Sequence, residues 1–393
     1  MTSTALSNAP SAEASTLLWT FVADELDIPP SLYARAADRH TSLGQWLGRP
    51  ESSLAQFRPK VHPQGSFRYG TVIKPLVEGT AYDLDQVVVF EGLCAEQLSQ
   101  AELKVRFGAE LAAYARAHQM LPPEEKHRCW RLNYRDEVPF HLDSLPSVPA
   151  NADFLASLRA SGVAESWVLR AIAITDDRHP RYRLVTSDWL TSNPRGFARW
   201  FEAQAARGRG DETHRAARVA VEDVPPYEWR TPLQRSIQIL KRHRDVMFRQ
   251  RPELAPISMI ITNLAAHAYG GERDLSTALR ALVERMGGFV RNSWPKVPNP
   301  THPQEDYADK WRAKPELETS FWTWLEQARA TVRALTDSPD LRYVAQHLQV
   351  SPTAEFERRM AMRASSVKVA SLAIPRIHDA PRPWGQHRSG GRS

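Results

Sequence analysis

Two aspartates, Asp83 and Asp85, open the run Tyr-Asp-Leu-Asp-Gln-Val-Val-Val-Phe at residues 82–90. The apolar tail of this run reads as a buried strand, and residues at i and i+2 on a strand face the same side of its sheet. Two carboxylates held that close repel each other unless a cation lies between them. Taken alone, the pair is a polar strand start. A third carboxylate changes the reading: Asp143 stands in Phe-His-Leu-Asp-Ser, at the end of a second short strand. Three carboxylates converging on one sheet edge make chemical sense with divalent cations, the arrangement of two-metal phosphoryl transfer. Ser66, seventeen residues before Asp83, follows Gly65 in a turn after the strand-like Lys-Val-His-Pro-Gln. Glycine there lets backbone N–H groups approach an anion closely, and the serine adds a hydroxyl donor.

Those side chains need elements to hold them. Residues 1–14 are small and polar and are expected to be flexible. From Ser15 to about Gln56 the apolar spacing is helical, through Leu17, Leu18, Phe21 and Leu26, then Leu43, Trp46 and Leu47. A strand-and-turn stretch over 59–75 precedes the aspartate strand, and 95–119 predicts one long amphipathic helix. Two short strands follow at 129–134 and 138–145, the second expected to break at Pro146. Strands alternating with a helix predict an α+β lobe around a mixed sheet.

The second half changes character. Thr231-Pro232-Leu233-Gln234 is a capping box with proline at the first helical position. It opens a helix with Leu233, Ile237, Leu240 and Met247 or Phe248 on one side. A further helix over 257–269 starts after Pro256 and stops at Gly270-Gly271. Helical periodicity continues to about Leu348. From Pro375 to Ser393 there is no periodicity, which predicts a flexible basic tail. The expected segments are a flexible N-terminus over 1–14, a core lobe with N-terminal helices over 15–225, a helical lobe over 226–374 and the tail over 375–393.

At 393 residues the chain has room for roughly two domain-sized units, and an apolar share of 42% with 12 Trp supplies a large core. The net charge of +6 is spread along the chain, carried by 42 arginines against nine lysines, so charge alone is weak support for a nucleic-acid partner. Cys94 and Cys129 stand alone, with no CxxC and no zinc spacing, which argues for a reducing compartment. The first residues lack the basic and apolar regions of a signal peptide, and no run of 18 apolar residues occurs. A soluble, cytoplasmic protein is expected.

Gly-Ser, then Asp-x-Asp on a strand, then a single Asp on a later strand is similar to the pattern of the DNA polymerase β-like nucleotidyltransferases. Within them the chain resembles the bacterial cGAS/DncV-like enzymes (CD-NTases). PQGSFRYGTVIKPL, YDLDQVVVF, HLDSLPS, SNPRGFARWF, LQRSIQILKRHRD, PISMIITNLAAHAY and NPTHPQEDYADKW look like blocks of that family in family order, over roughly Phe57 to Trp311. The resemblance implies a polymerase β-like nucleotidyltransferase core plus a C-terminal helical lobe that completes the nucleotide site. It implies an enzyme that joins NTPs, ATP among them, into a cyclic di- or trinucleotide messenger with release of pyrophosphate. Two Mg²⁺ ions per site are implied, with Mn²⁺ as a substitute. Gly65 and Ser66 would hold the incoming triphosphate, Asp83 and Asp85 both metal ions, and Asp143 the metal that activates the attacking ribose hydroxyl. Lys241 is similar in place to a triphosphate-binding lysine, and Ser258 resembles a serine that reaches the nucleotide from the helical lobe. Met259 departs from the aromatic residue that related animal enzymes carry for base stacking. The family setting implies phage defence beside a cyclic-nucleotide-gated effector, with a ligase or regulatory partner for the tail. No DNA-binding insertion is present, so double-stranded DNA sensing is not expected.

Two other readings use the same residues. A template-independent RNA-tailing or tRNA nucleotidyltransferase shares the catalytic core but calls for an RNA-binding array. A degenerate nucleotide binder would not keep all three carboxylates. Among lesser candidates, Asp176-Asp177 is a poor metal site because adjacent strand residues face opposite ways. His141 shares the side of Asp143 and reads as a satisfied histidine. Arg68 and Lys74 read as solvated, and so would Lys241 without the resemblance.

Overall fold

The computed structural model describes residues 12–134, 139–208, 230–293 and 296–351, together with 353, 354 and 356–358. The tail expected over 375–393 lies outside the described residues, as do residues 1–11. The first helix begins at Ala12, inside the stretch expected to be flexible.

Helices α1 (Ala12–Leu26) and α2 (Pro30–Gly48) lead into strand β1 (Pro59–Gln64), the one-turn helix α3 (Gly65–Tyr69) and strand β2 (Tyr82–Phe90). Helix α4 (Gln100–Ala117) then crosses to β3 (Glu124–Glu125), β4 (Trp130–Tyr134) and β5 (Phe140–Pro149). A full capping box starts α4: Ser99 Oγ accepts from Glu102 N at 3.2 Å, and Glu102 Oε2 accepts from Ser99 N at 3.1 Å. Short helices α5 (Ala152–Ala160) and α6 (Glu165–Val168), strands β6 (Ile172–Ile174) and β7 (Leu190–Ser192), and helix α7 (Pro194–Ala206) complete the first half.

The sheet is mixed. β1 lies antiparallel to β2, β2 parallel to β5, and β5 antiparallel to β4 and then β6. The break expected at Pro146 does not occur. On one edge β5 pairs with β4 as far as Ser144 and with β6 from Ser147, so the proline falls at the changeover there, while the parallel ladder with β2 continues past it through Val88–Pro146 and Val89–Ser147.

Alternation along β2 sorts its side chains. Leu84, Val88 and Phe90 pack under α2 and α4 with Leu43, Leu47, Phe107 and Leu111, while Val87 and Val89 pack on the opposite face against Ile172 and Ile174. Gln86 also points to the helical face and is fully buried. Its amide is satisfied by His40 Nδ1 at 2.6 Å and by donation to Ser144 Oγ at 2.7 Å, as a buried polar group requires.

The second half is helical: α8 (Pro232–Met247), α9 (Ser258–Ala268), α10 (Leu275–Arg291), α11 (Pro315–Asp337) and α12 (Leu341–Leu348). The expected capping box of α8 forms, with Thr231 and Gln234 bonded reciprocally. A short hairpin, β8 (Pro298–Asn299) and β9 (His302–Asp306), interrupts what reads in sequence as continuous helix. Helix α1, sheet-side by chain order, packs on α8 and α10 instead, and Trp19 Nε1 donates to Thr336 Oγ1 of α11 at 3.1 Å. No described helix is long and apolar enough to cross a membrane.

Replacing Gln86 by Leu strands the buried His40 ring nitrogen and Ser144 hydroxyl together. Chemical denaturation of this variant is expected to show a loss on the order of 2 kcal/mol; an unchanged midpoint would contradict the bridging role.

Candidate active site

Strand pairing builds the carboxylate cluster. In the parallel β2–β5 register Asp85 lies directly opposite Asp143, and Asp83 opposite His141. Asp83 and Asp85 share the sheet face away from α2 and α4, as period-2 alternation demands. Asp83 is well exposed, while Asp85 and Asp143 are half-buried. Burial pushes the Asp85 carboxyl up to about 6, and the neighbouring Asp143 and Asp83 charges push the same way, opposed by Arg131 and Lys241.

Gly65 sits directly beneath this cluster. Its φ of +62° is left-handed backbone, and a Cβ added there would collide with Asp85 Oδ2 and lie 3.1 Å from its Cγ. Glycine is thus required twice, for the turn and for the close approach of the carboxylate. Ser66 follows in α3, and its carbonyl accepts from Thr71 N at 2.9 Å, closing the loop back on itself.

That loop is held from the helical half by one face of α8. Gln234 Nε2 donates to Tyr69 O at 2.8 Å, Gln238 Nε2 to Val72 O at 2.8 Å and Arg242 Nη2 to Lys74 O at 2.6 Å. Lys241 joins this row, donating to Thr71 O at 3.0 Å and Thr71 Oγ1 at 3.2 Å. It is buried, so the solvated reading of this lysine is wrong. Burial first, and then the Arg244 charge, lower its ammonium to about 7 against the pull of Asp245 and Asp85. Ser258 opens α9, and Arg244 Nη1 donates to its Oγ at 3.2 Å and to Pro256 O at 2.9 Å. Arg244 thereby ties the start of α9 to the helix that carries Lys241.

Of the lesser candidates, Arg68 departs from its sequence reading, while His141 and the Asp176-Asp177 pair keep theirs. Arg68, expected in solvent, is buried and paired with Glu202 of α7. Lys74 donates to Glu25 O at 2.9 Å. His141 does not orient Asp143; its Nδ1 meets Asn133 Oδ1 at 2.7 Å. Asp176 is gripped by Arg128 at 2.7 Å and Arg178 at 2.9 Å, while Asp177 meets His127 at 2.8 Å. The adjacent pair is engaged in ion pairs on both sides.

Arg131 is the site residue that the sequence reading missed. It stands opposite Asp143 in the β4–β5 register. Its Nε donates to Asp143 Oδ1 at 2.7 Å and its Nη2 to Oδ2 at 2.8 Å, a bidentate fork, and Nη2 lies 3.7 Å from Asp83 Oδ1. Among the described residues no three His, Cys, Asp or Glu side chains stand close enough, as they are, to enclose one ion. The donors themselves, three neighbouring carboxylates with one of them against a half-buried glycine turn, fit a hard divalent cation.

Residues 59–146 match the nucleotidyltransferase domain described as cyclic GMP-AMP synthase DncV-like. A c-di-GMP synthase of Roseivirga ehrenbergii is 30% identical, over 81% of this chain and 78% of its own length. The structure of the Bradyrhizobium diazoefficiens CD-NTase CdnG in complex with GTP superposes with a TM-score of 0.62 at 21% identity, over 91% of this chain and 99% of that one. The Vibrio cholerae di-nucleotide cyclase DncV, as a D193N mutant in complex with ATP, GTP and 5MTHFGLU2, has the same fold at a TM-score of 0.52 and 14% identity, over 88% and 87%. An α+β mixed sheet with a helical half and an aspartate cluster at the tips of parallel strands is the architecture of a polymerase β-like nucleotidyltransferase. The chain belongs to the bacterial CD-NTase family and is a nucleotidyltransferase.

The raised Asp85 group has a consequence for stability. Its folded value near 6 lies above the ordinary carboxylate value, so unfolding releases a proton at intermediate pH. Without metal, the contribution of this one group to stability therefore falls as pH rises from about 4 through about 6. Asp85→Asn is expected to be more stable than the parent at pH 8 in EDTA, by on the order of 1–3 kcal/mol, and so to melt higher, with the difference vanishing near pH 4. A lower melting point for the variant at pH 8 would contradict the electrostatic account.

Proposed function

We propose that the enzyme condenses two purine NTPs into a cyclic dinucleotide, with GTP as the leading substrate and ATP as the second. The observation that carries this reading is the pairing of Asp85 with Asp143 above the Gly65-Ser66 turn, beside Asp83. The relatives support guanine: one is named a c-di-GMP synthase, and the CdnG structure holds GTP.

In each step a ribose hydroxyl oxygen bonds to the α-phosphorus of an NTP, the bond to the β-phosphate bridging oxygen breaks, and pyrophosphate leaves with the electron pair. A first transfer gives a linear dinucleotide that keeps one triphosphate. The second transfer, onto that triphosphate, closes the ring. Asp83, Asp85 and Asp143 would hold Mg²⁺, which when bound neutralises charge on the transferring phosphoryl group and acidifies the attacking hydroxyl. Gly65 and Ser66 offer backbone and hydroxyl donors to the triphosphate. Lys241, buried with a lowered ammonium, stands under the same loop, where a polyphosphate would restore its charge. Ser258, steadied by Arg244, faces the nucleotide from the helical half. The lobe boundaries of 15–225 and 226–374 are part of this proposal, with the nucleotide bound where the lobes meet. Phage defence, a nucleotide-gated effector and a partner at the tail are the biological setting it implies.

Incubating the purified chain with labelled GTP, ATP or both, in Mg²⁺, tests the proposal. A phosphatase-resistant product and stoichiometric pyrophosphate are expected, with no nucleic acid added. Asp83→Asn with Asp85→Asn is expected to cut turnover by several orders of magnitude in a folded protein. A product that appears only with an RNA acceptor would favour the tailing reading, and a double variant of undiminished turnover would end the carboxylate reading.

A further inference from the structure

We propose that the Arg131 guanidinium competes with divalent cation for the Asp143 carboxylate, so that the nucleotide-free site resists metal until a triphosphate arrives. The proposal rests on the reading of Asp83, Asp85 and Asp143 as metal ligands.

Both oxygens of Asp143 are committed to Arg131, at 2.7 and 2.8 Å, and the same guanidinium reaches to 3.7 Å from Asp83. One cation thus touches two of the three carboxylates. It is anchored to do so: β4 and β5 place Arg131 and Asp143 directly across the ladder, and Trp130 and Leu132 on either side belong to the sheet's helical-face core. Arg131 is only half-buried, so its side chain has space to leave.

A divalent ion bound to Asp143 and Asp83 would sit within a few ångströms of this guanidinium, and the two cations repel. The carboxylates also do not close around one ion as they stand. Metal entry therefore requires the fork to open. A triphosphate changes that balance, because its oxygens add ligands for the metal and offer the released guanidinium another anion. Metal and nucleotide then bind with positive coupling, and by linkage each raises the affinity of the other. A purely structural role, in which Arg131 orients Asp143 for the metal, makes the opposite prediction.

The test is a Mn²⁺ titration of the full chain, followed by the electron paramagnetic resonance signal of free Mn²⁺, with and without non-hydrolysable GTP. Without nucleotide, Arg131→Gln is expected to bind Mn²⁺ at least about tenfold more tightly than the parent, since a nearby positive charge is gone. Arg131→Lys should fall between them, because an ammonium keeps the charge but cannot grip both oxygens. With the analogue present, the gap should narrow. Circular dichroism establishes folding, and if Arg131→Gln fails to fold, Arg131→Lys must still exceed the parent. Variants that bind Mn²⁺ no more tightly than the parent without nucleotide overturn the proposal. If the parent still binds Mn²⁺ with the analogue, the metal-site reading survives that result. If no protein binds Mn²⁺ under any condition, both fail.

Discussion

Repulsion among three fixed carboxylates is the constraint around which this molecule is arranged. The parallel pairing of β2 with β5 holds Asp85 against Asp143, and the strand period brings Asp83 to the same face. No relaxation of side chains alone removes that proximity, because backbone ladders impose it. The structure meets it with a guanidinium on Asp143, and burial with the neighbouring charges raises the Asp85 carboxyl to about 6.

The glycine turn and the α8 face follow from the same constraint. Asp85 can lie where it does because Gly65 has no Cβ. The loop after that glycine has several backbone carbonyls to satisfy, and α8 supplies Gln234, Gln238, Lys241 and Arg242 to them. These positions fall at i, i+4, i+7 and i+8, one stripe of the helix. The position of the 69–74 loop is therefore set by the helical half, and the site is a property of both halves together.

How much of this was legible in the sequence depended on the range of the interaction. Asp83 and Asp85 are a local period-2 signal, and the Thr231 capping box is local too; both could be read directly. Arg131 was not, because its role depends on the register between 130–134 and 140–149, which no local pattern states. Register counting could have found it: an antiparallel pairing of Tyr134 with Phe140 also pairs Arg131 with Asp143. Lys241 lies among Arg242, His243 and Arg244, a run that reads as a solvated face, and its burial comes from the distant 69–74 loop. Pro146 misled for a similar reason, since a strand that changes partners tolerates a proline that a single ladder would not. The placement of α1 on the helical side is likewise a long-range contact, made through Trp19 and Thr336.

The central claim is that Asp83, Asp85 and Asp143 form one cation-dependent centre facing the nucleotide phosphates. Crystals of the full chain with Mn²⁺ and non-hydrolysable GTP, measured at the manganese edge, test it most directly. The account predicts anomalous peaks within coordination distance of all three carboxylates and of the triphosphate. An ordered nucleotide with no manganese at these aspartates would contradict it.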